Sequence, residues 1–141
     1  MSCVTCLEAY STGLSVDTNA NIPLNSTSIS KGCSVVKTGA TIQFNKCGLY
    51  KLYISATATA TEEGEVTIQV QKDGVNLPNA VYSSSASAAA IVRNLSGTTC
   101  IQVNHNNGPC ACASPTIVTI TNAGIPVTYD LIDVVVTKID D

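Results

Sequence analysis

Side chains in residues 49–61 sort into one apolar and one polar face when they are read with a period of two, and this pattern constrains the fold more than any other feature. Successive side chains of a β-strand point to opposite faces, so the segment predicts a strand with one face in a core and one in water. Valine, isoleucine and threonine supply 44 of the 141 residues, and their β-branched side chains suit strands. The predicted inner face is Tyr50, Leu52, Ile54, Ala56, Ala58 and Ala60; the outer face is Lys51, Tyr53, Ser55, Thr57, Thr59 and Thr61.

Shorter segments of the same kind, separated by Gly, Asn, Asp, Ser and Pro turns, predict about eight to ten strands in one domain. Asp73-Gly74 is typical of a tight hairpin, and residues 49–61, 65–72 and 75–82 are predicted to be three adjacent antiparallel strands. This strand count favours an all-β, antiparallel two-sheet sandwich or jelly roll. The other predicted strands are residues 21–25, 34–36, 41–44, 86–94, 99–104, 116–122 and 127–139, and residues 104–115 are the longest predicted loop.

The last predicted strand, residues 127–139, is apolar on both faces. Only one face of a strand meets the core of a small sandwich, so the second face predicts contact with another subunit. The alternative is a central strand that a loop covers. One face carries Val127, Tyr129, Leu131, Val135 and Ile139; the other, which we assign to the subunit interface, carries Ile132, Val134 and Val136.

Charge and hydropathy exclude several classes of partner. Ten acidic and seven basic residues give a net charge of -3, which supplies no basic surface for nucleic acid. Every apolar run ends well short of the roughly 20 residues that cross a bilayer, so we expect no membrane span. The first residues lack a basic start and an apolar run of secretory length, which predicts synthesis in the cytoplasm.

The sequence carries no pattern typical of an active site. Its single histidine, His105, lies in a polar stretch and is interpreted as a surface-loop residue. Glu62, Glu63 and Glu65 are interpreted as a solvated turn rather than a pair of catalytic acids. We therefore expect a protein that is not an enzyme and has no catalytic residues and no cofactor.

Seven cysteines need an explanation in a chain that folds in a reducing compartment. Cys3 and Cys6, together with Cys110 and Cys112, could offer four thiolates to a zinc ion, although neither spacing forms a repeated zinc-knuckle pattern. Buried free thiols are the alternative interpretation, which we prefer for Cys33, Cys47 and Cys100. The odd total also allows a cross-link between subunits.

The stretch Phe-Asn-Lys-Cys-Gly-Leu-Tyr-Lys-Leu at residues 44–52 resembles the jelly-roll superfamily of tumour necrosis factor and the complement globular heads. Its marker is an aromatic residue followed by Gly-x-Tyr at the start of a strand. Glycine permits the turn, and tyrosine is a large inward anchor with a polar tip. Residues 64–79 and 134–139 resemble later strands of bacterial and phage members. The resemblance assigns structural roles to Phe44, Gly48, Tyr50 and Leu52.

The resemblance implies a threefold homotrimer in which one sheet of each subunit faces the axis and the final strand contributes to the contact. Leaderless bacterial and phage members are surface modules, so we expect a non-enzymatic head decoration or fibre protein on a phage virion, made in the bacterial host cytoplasm. Residues 1–18 are predicted to attach a jelly-roll domain of residues 19–141 to a capsid or other shell protein. A structural module of a spore or cell surface is the alternative. A carbohydrate-binding module is a third hypothesis. Sugar-binding sites usually contain stacked aromatic side chains, and the chain has only six aromatic residues and no tryptophan.

Overall fold

A computed structural model describes residues 5–32, 34–103 and 116–140, which form an antiparallel β-sandwich. One layer, sheet A, has five strands, and their spatial order differs from their order in the chain. The described residues contain no helix of the length and apolarity that a membrane crossing requires. In spatial order, sheet A consists of β3 (Ser26–Lys31), β1 (Cys6–Val16), β11 (Val127–Asp140), β6 (Gly48–Ala60) and β9 (Val92–Val103).

The second layer, sheet B, packs against sheet A and is built mainly from the middle of the chain. Its β7–β8 hairpin turns at Asp73-Gly74, as the sequence predicted, and Asp73 has a positive φ of 51°. In spatial order, sheet B consists of β4 (Val35–Thr38), β5 (Thr41–Phe44), β10 (Thr116–Asn122), β7 (Gly64–Lys72) and β8 (Val75–Ala86), and the two-residue β2 (Ala20–Asn21) also pairs with β10.

The core lies between the two sheets and is made of the inward faces of their strands. The predicted apolar face of β6 is confirmed, because all six of its side chains are buried. β11 and β7 contribute the same kind of alternating face. The largest fully buried side chains are Tyr50, Tyr129, Phe44, Ile22, Leu24, Ile42, Leu52, Ile54, Ile68, Ile101, Ile120 and Ile132.

The predicted adjacency of residues 49–61 and 65–72 is wrong. β6 lies in sheet A between β11 and β9, whereas β7 lies in sheet B between β10 and β8. The turn between them therefore carries the chain from one sheet to the other. Alternation reveals which face of a strand is buried but carries no information about its partner, and consecutive strands are neighbours often but not always.

Residues 86–94 were predicted as one strand, but β8 ends at Ala86 and β9 begins at Val92. The turn between them folds onto the end of β6: the Ala90 amide donates to the Ala60 carbonyl at 2.8 Å, and the Ala60 amide donates to the Ile91 carbonyl at 2.9 Å. Ala90 has a positive φ of 68°. An alanine-rich stretch has little contrast between its faces, so a turn within it gives no clear periodic signal.

The predicted attachment segment, residues 1–18, also needs correction. Residues 6–16 form β1, which pairs with β3 on one side and with β11 on the other, and Leu7 and Ala9 are buried in the core. The segment lacks a clear apolar period because Ser11 occupies an inward position. Its hydroxyl donates to the Pro23 carbonyl at 2.6 Å and accepts from the Asn25 amide at 2.8 Å, so the buried group is satisfied.

Candidate subunit interface

The outer face of sheet A carries a cluster of large, partly apolar side chains on its three central strands. Tyr53 on β6 is 40% exposed, and Leu131 on β11 is 41% exposed. Tyr10 on β1 and Val135 on β11 are partly buried. We call these four residues, with the Glu8–Asp133 pair described below, the outer face of sheet A.

The strand register places Tyr53 next to Val135, whereas Leu131 lies four residues along β11, opposite Thr57. Val135 lies directly opposite Tyr53 on β6 and opposite Glu8 on β1. Asp133, two residues earlier on the same face, lies opposite Tyr10. Directly opposed side chains in an antiparallel pair are about 5 Å apart at Cβ, close enough for contact. A shallow depression of about 240 Å³ runs beside them, lined by Lys51, Tyr53, Val135 and Thr137.

An acidic pair interrupts this apolar surface. The side chain of Asp133 lies within hydrogen-bond reach of Glu8, and Glu8 Oε1 accepts a hydrogen bond from the Ser28 hydroxyl at 3.0 Å. Partial burial and the neighbouring Glu8 carboxyl raise the pKa of Asp133 from its ordinary value of 3.8 to about 6. Two carboxyl groups can hydrogen-bond to each other only when one carries a proton, and the raised pKa of Asp133 favours that proton on Asp133.

The outer face of sheet B is polar in comparison. Its central residues are Gln43, Thr67, Gln71 and Thr119, and the Thr119 hydroxyl donates to Gln71 Oε1 at 3.2 Å. The exposed apolar side chains of sheet B lie on its two edge strands: Val36 on β4 is 44% exposed, and Val75 and Val81 on β8 are 66% and 44% exposed. The two faces are therefore unequal, because among the described residues only sheet A carries exposed large apolar side chains, such as Tyr53 and Leu131, on its central strands.

The assignment of Ile132, Val134 and Val136 to a subunit interface needs correction. All three point between the sheets and are at most 1% exposed within a single chain. The apolar residues that β11 presents outward are Leu131, Val135 and Ile139 instead. The sequence signal of a strand with two apolar faces was sound, but the two faces were exchanged.

A local irregularity explains the exchange. The register between β11 and β6 shifts by one residue between Tyr129 and Leu131, so that Asp130 has no opposite residue on β6. On the other side of β11, the pairing with β1 passes over Gly13 at the same point. One extra residue reverses the inward and outward positions beyond it. Tyr129 is therefore buried although Leu131, two residues later, is exposed.

The residues that the resemblance singled out lie at the start of β6. Tyr50 is fully buried; its hydroxyl donates to the Lys46 carbonyl at 2.7 Å, and its ring meets Phe44 edge-on with centroids 4.7 Å apart. Leu52 is buried two residues further along. Gly48 has a φ of 146°, a backbone conformation that side-chain-bearing residues rarely adopt.

The cysteines fall into two groups with respect to the structure. Cys3, Cys33, Cys110 and Cys112 lie outside the described residues, as does His105, so the thiolate site stays a prediction. Within the described ranges, no three His, Cys, Asp or Glu side chains are grouped as a metal site would need. Cys47 is buried, and Cys6 is partly buried. Cys100 is exposed, contrary to the buried position expected, because Thr99 and Ile101 take the inward positions of β9.

Sequence reasoning missed most of the outer face of sheet A. Tyr10 and Glu8 lie on β1, which was not predicted as a strand. Tyr53 was predicted on the solvent side of β6, but not as part of a subunit interface. The sequence did contain one signal for this surface, because Tyr53 stands among Lys, Ser and Thr on the solvent side of β6. Large aromatic side chains are enriched at interfaces.

Comparison with known proteins identifies the fold. No family model matches the chain, and no curated protein matches its sequence. Among solved structures, the globular domain of a zebrafish complement 1qA protein superposes with a TM-score of 0.65 and 11% identity, covering 94% of both chains. Eiger TNF from S. frugiperda gives 0.64 and 9% identity, covering 97% of this chain and 94% of the other.

A phage protein has the same architecture. The PRD1 vertex protein P5 gives a TM-score of 0.54 at 19% identity and covers 99% of both chains. With the two antiparallel sheets described above, these similarities place the chain in the jelly-roll fold of the tumour necrosis factor-like and complement globular-head domains.

Proposed function

We propose that this chain is a non-enzymatic structural protein that forms a homotrimer through the outer face of sheet A. The observation that carries the proposal is the exposed pair Tyr53 and Leu131 on central strands of sheet A, with Val135 directly opposite Tyr53. Apolar clusters of this kind on a small soluble domain mark interaction surfaces. Threefold assembly follows from the resemblance, in which this sheet faces the trimer axis.

We further propose that the trimer is a surface module of a phage virion, as a head decoration or fibre protein made in the bacterial host cytoplasm. Support comes from the similarity in fold to a phage vertex protein over nearly the whole chain. A jelly roll with few charges and a closed core suits a role that needs durability rather than catalysis.

The shell contact is proposed at the end of the sandwich where residue 5 lies. There the Lys138 amide donates to the Thr5 carbonyl at 3.3 Å, so the start of β1 and the end of β11 lie side by side. A capsid or other shell protein that binds this end would hold all three subunits in one orientation. Deleting residues 2–4 leaves β1 whole, and we expect it to weaken binding to the shell while the trimer persists.

The experiment that tests the virion role is to locate the protein. Antibody labelling and mass spectrometry of purified virions should find it on the particle surface in a fixed copy number. Its absence from virions together with its presence in spore coats or on the cell surface would favour the alternative, a surface structural module of the bacterium. Binding on a glycan array would favour a carbohydrate-binding module instead.

A further inference from the structure

The Glu8–Asp133 pair has an unusual position: two carboxyl groups lie side by side within the surface that we propose another subunit covers. Glu8 lies opposite Val135, and Asp133 lies opposite Tyr10, so apolar side chains flank both acids. Ser28 already donates to one oxygen of Glu8. Burying two ionised carboxylates together is strongly unfavourable, whereas a proton shared between them removes one charge.

No positively charged side chain offsets the raised pKa of Asp133, although two lysines lie on the adjoining strands. Lys51 lies opposite Thr137 on β11. Thr137 is four residues from Asp133, so the two positions are roughly 13 Å apart along the strand. Lys31 lies opposite Cys6, one strand away and two residues along β1 from Glu8. The titratable and charged groups that face the pair from the adjoining strands are Cys6, Glu8 and Tyr10 on β1, Lys51 and Tyr53 on β6, and Lys31 on β3.

We infer that the Glu8–Asp133 pair makes trimer assembly depend on protons: each pair holds one shared proton in the trimer, and the subunits separate more readily as that proton is lost. This inference rests on the proposed function, since it places the pair in the trimer interface. Assembly that excludes water from the pair strengthens its hold on the proton. By linkage, the trimer then binds more protons than three separate subunits and is stabilised as pH falls.

The raised pKa of Asp133 determines whether the trimer becomes more or less stable as pH falls. The carboxyl of Asp133 already holds its proton more tightly than an isolated aspartate, with a pKa of about 6. Well above pH 6 the Asp133 carboxyl of a free subunit is ionised, and assembly must either take up a proton there or bury that charge beside Glu8. Below pH 6 Asp133 already carries its proton, so assembly needs no further proton uptake at this residue.

The test is sedimentation of the intact chain over a concentration series at about pH 5.5 and about pH 8, with ionic strength held constant. We expect the concentration at which half the trimer dissociates to be at least about tenfold higher at the upper pH. Asp133→Asn keeps a hydrogen-bond donor facing Glu8 without needing a proton. It should remove the pH dependence and assemble at about pH 8 as the unaltered protein does at about pH 5.5.

Two further variants complete the design. Glu8→Gln removes the other acid and should weaken the pH dependence without abolishing it, because burial alone still favours the protonated form of Asp133. This variant serves alone if Asp133→Asn loses its far-ultraviolet circular dichroism. Glu62→Gln removes one negative charge from an exposed turn outside the pair and should keep the full pH dependence.

The outcomes separate the two proposals. A trimer that dissociates at the same concentration at both pH values overturns the inference and leaves the trimer standing. The same holds if Asp133→Asn and Glu8→Gln both retain the full pH dependence of the unaltered protein. A monomer at both pH values, at every concentration, overturns the proposed trimer and the inference with it.

Discussion

The phenol of Tyr129 donates a hydrogen bond to the side-chain oxygen of Asn122 at 2.9 Å, and both side chains are fully buried. The amide nitrogen of Asn122 lies within 3.0–3.3 Å of the carbonyls of Val16, Asp17 and Ile125. One side chain thus joins the end of β1, the end of β10 and the start of β11 across both sheets. Burial also raises the pKa of Tyr129, so its phenol stays a donor throughout the ordinary pH range.

Asn122→Ala should therefore be strongly destabilising. It leaves the buried Tyr129 hydroxyl without its acceptor and takes one donor from the carbonyls of Val16, Asp17 and Ile125, which we expect to lower the free energy of unfolding by roughly 2–4 kcal/mol. Tyr129→Phe removes one hydrogen bond only and should cost about 1 kcal/mol. Chemical denaturation of both variants measures the difference, and equal losses would show that Asn122 does not hold the three segments together.

Tyr50→Ala should cost roughly 3–5 kcal/mol, as truncation of a buried aromatic side chain does. The reason is the cavity beside Phe44 together with the lost hydrogen bond to the Lys46 carbonyl. Tyr50→Phe keeps the ring and should lose only about 1 kcal/mol. A melting temperature for Tyr50→Ala close to that of the unaltered protein would contradict the anchoring role of this residue.

Gly97→Ala should destabilise the β8–β9 side of the sandwich through one identifiable clash. A Cβ on residue 97 would lie 2.0 Å from the ring of Tyr82, whose hydroxyl is hydrogen-bonded to Thr99. We expect a loss of about 1–3 kcal/mol, as for other overpacked sites. The same substitution in a Tyr82→Ala background should cost much less, and an equal cost in both backgrounds would rule out the clash as the cause.

Local pattern predicted much of the fold. The bounds of β5 and β10 match the predicted residues 41–44 and 116–122, and β11 extends only one residue beyond its prediction, because these strands end at clear turn residues. The strands that were missed lack a periodic apolar face. All six residues of β3 are exposed, and β1 has Ser11 at an inward position. Such strands form because their backbones pair with a neighbour, which is a long-range effect that a short window does not contain.

The candidate interface was harder to predict for a different reason. The sequence correctly indicated that the last strand has apolar side chains on both faces, yet the extra residue Asp130 reverses which set faces outward. Nothing in the local sequence marks that bulge. The Glu8–Asp133 pair also brings together residues more than a hundred positions apart, and only the pairing of β1 with β11 places them side by side.

Light scattering coupled to gel filtration tests the central claim most directly, because it reports the mass of the native particle. We predict three times the 14.6 kDa of one chain for the unaltered protein at about pH 5.5, and a smaller particle for Tyr53→Glu, which puts a charge into the outer face of sheet A. Val36→Glu places the same charge at an equally exposed apolar position on sheet B and should leave the trimer intact. A stable monomer for the unaltered protein, or equal masses for the two variants, would contradict assembly through the outer face of sheet A.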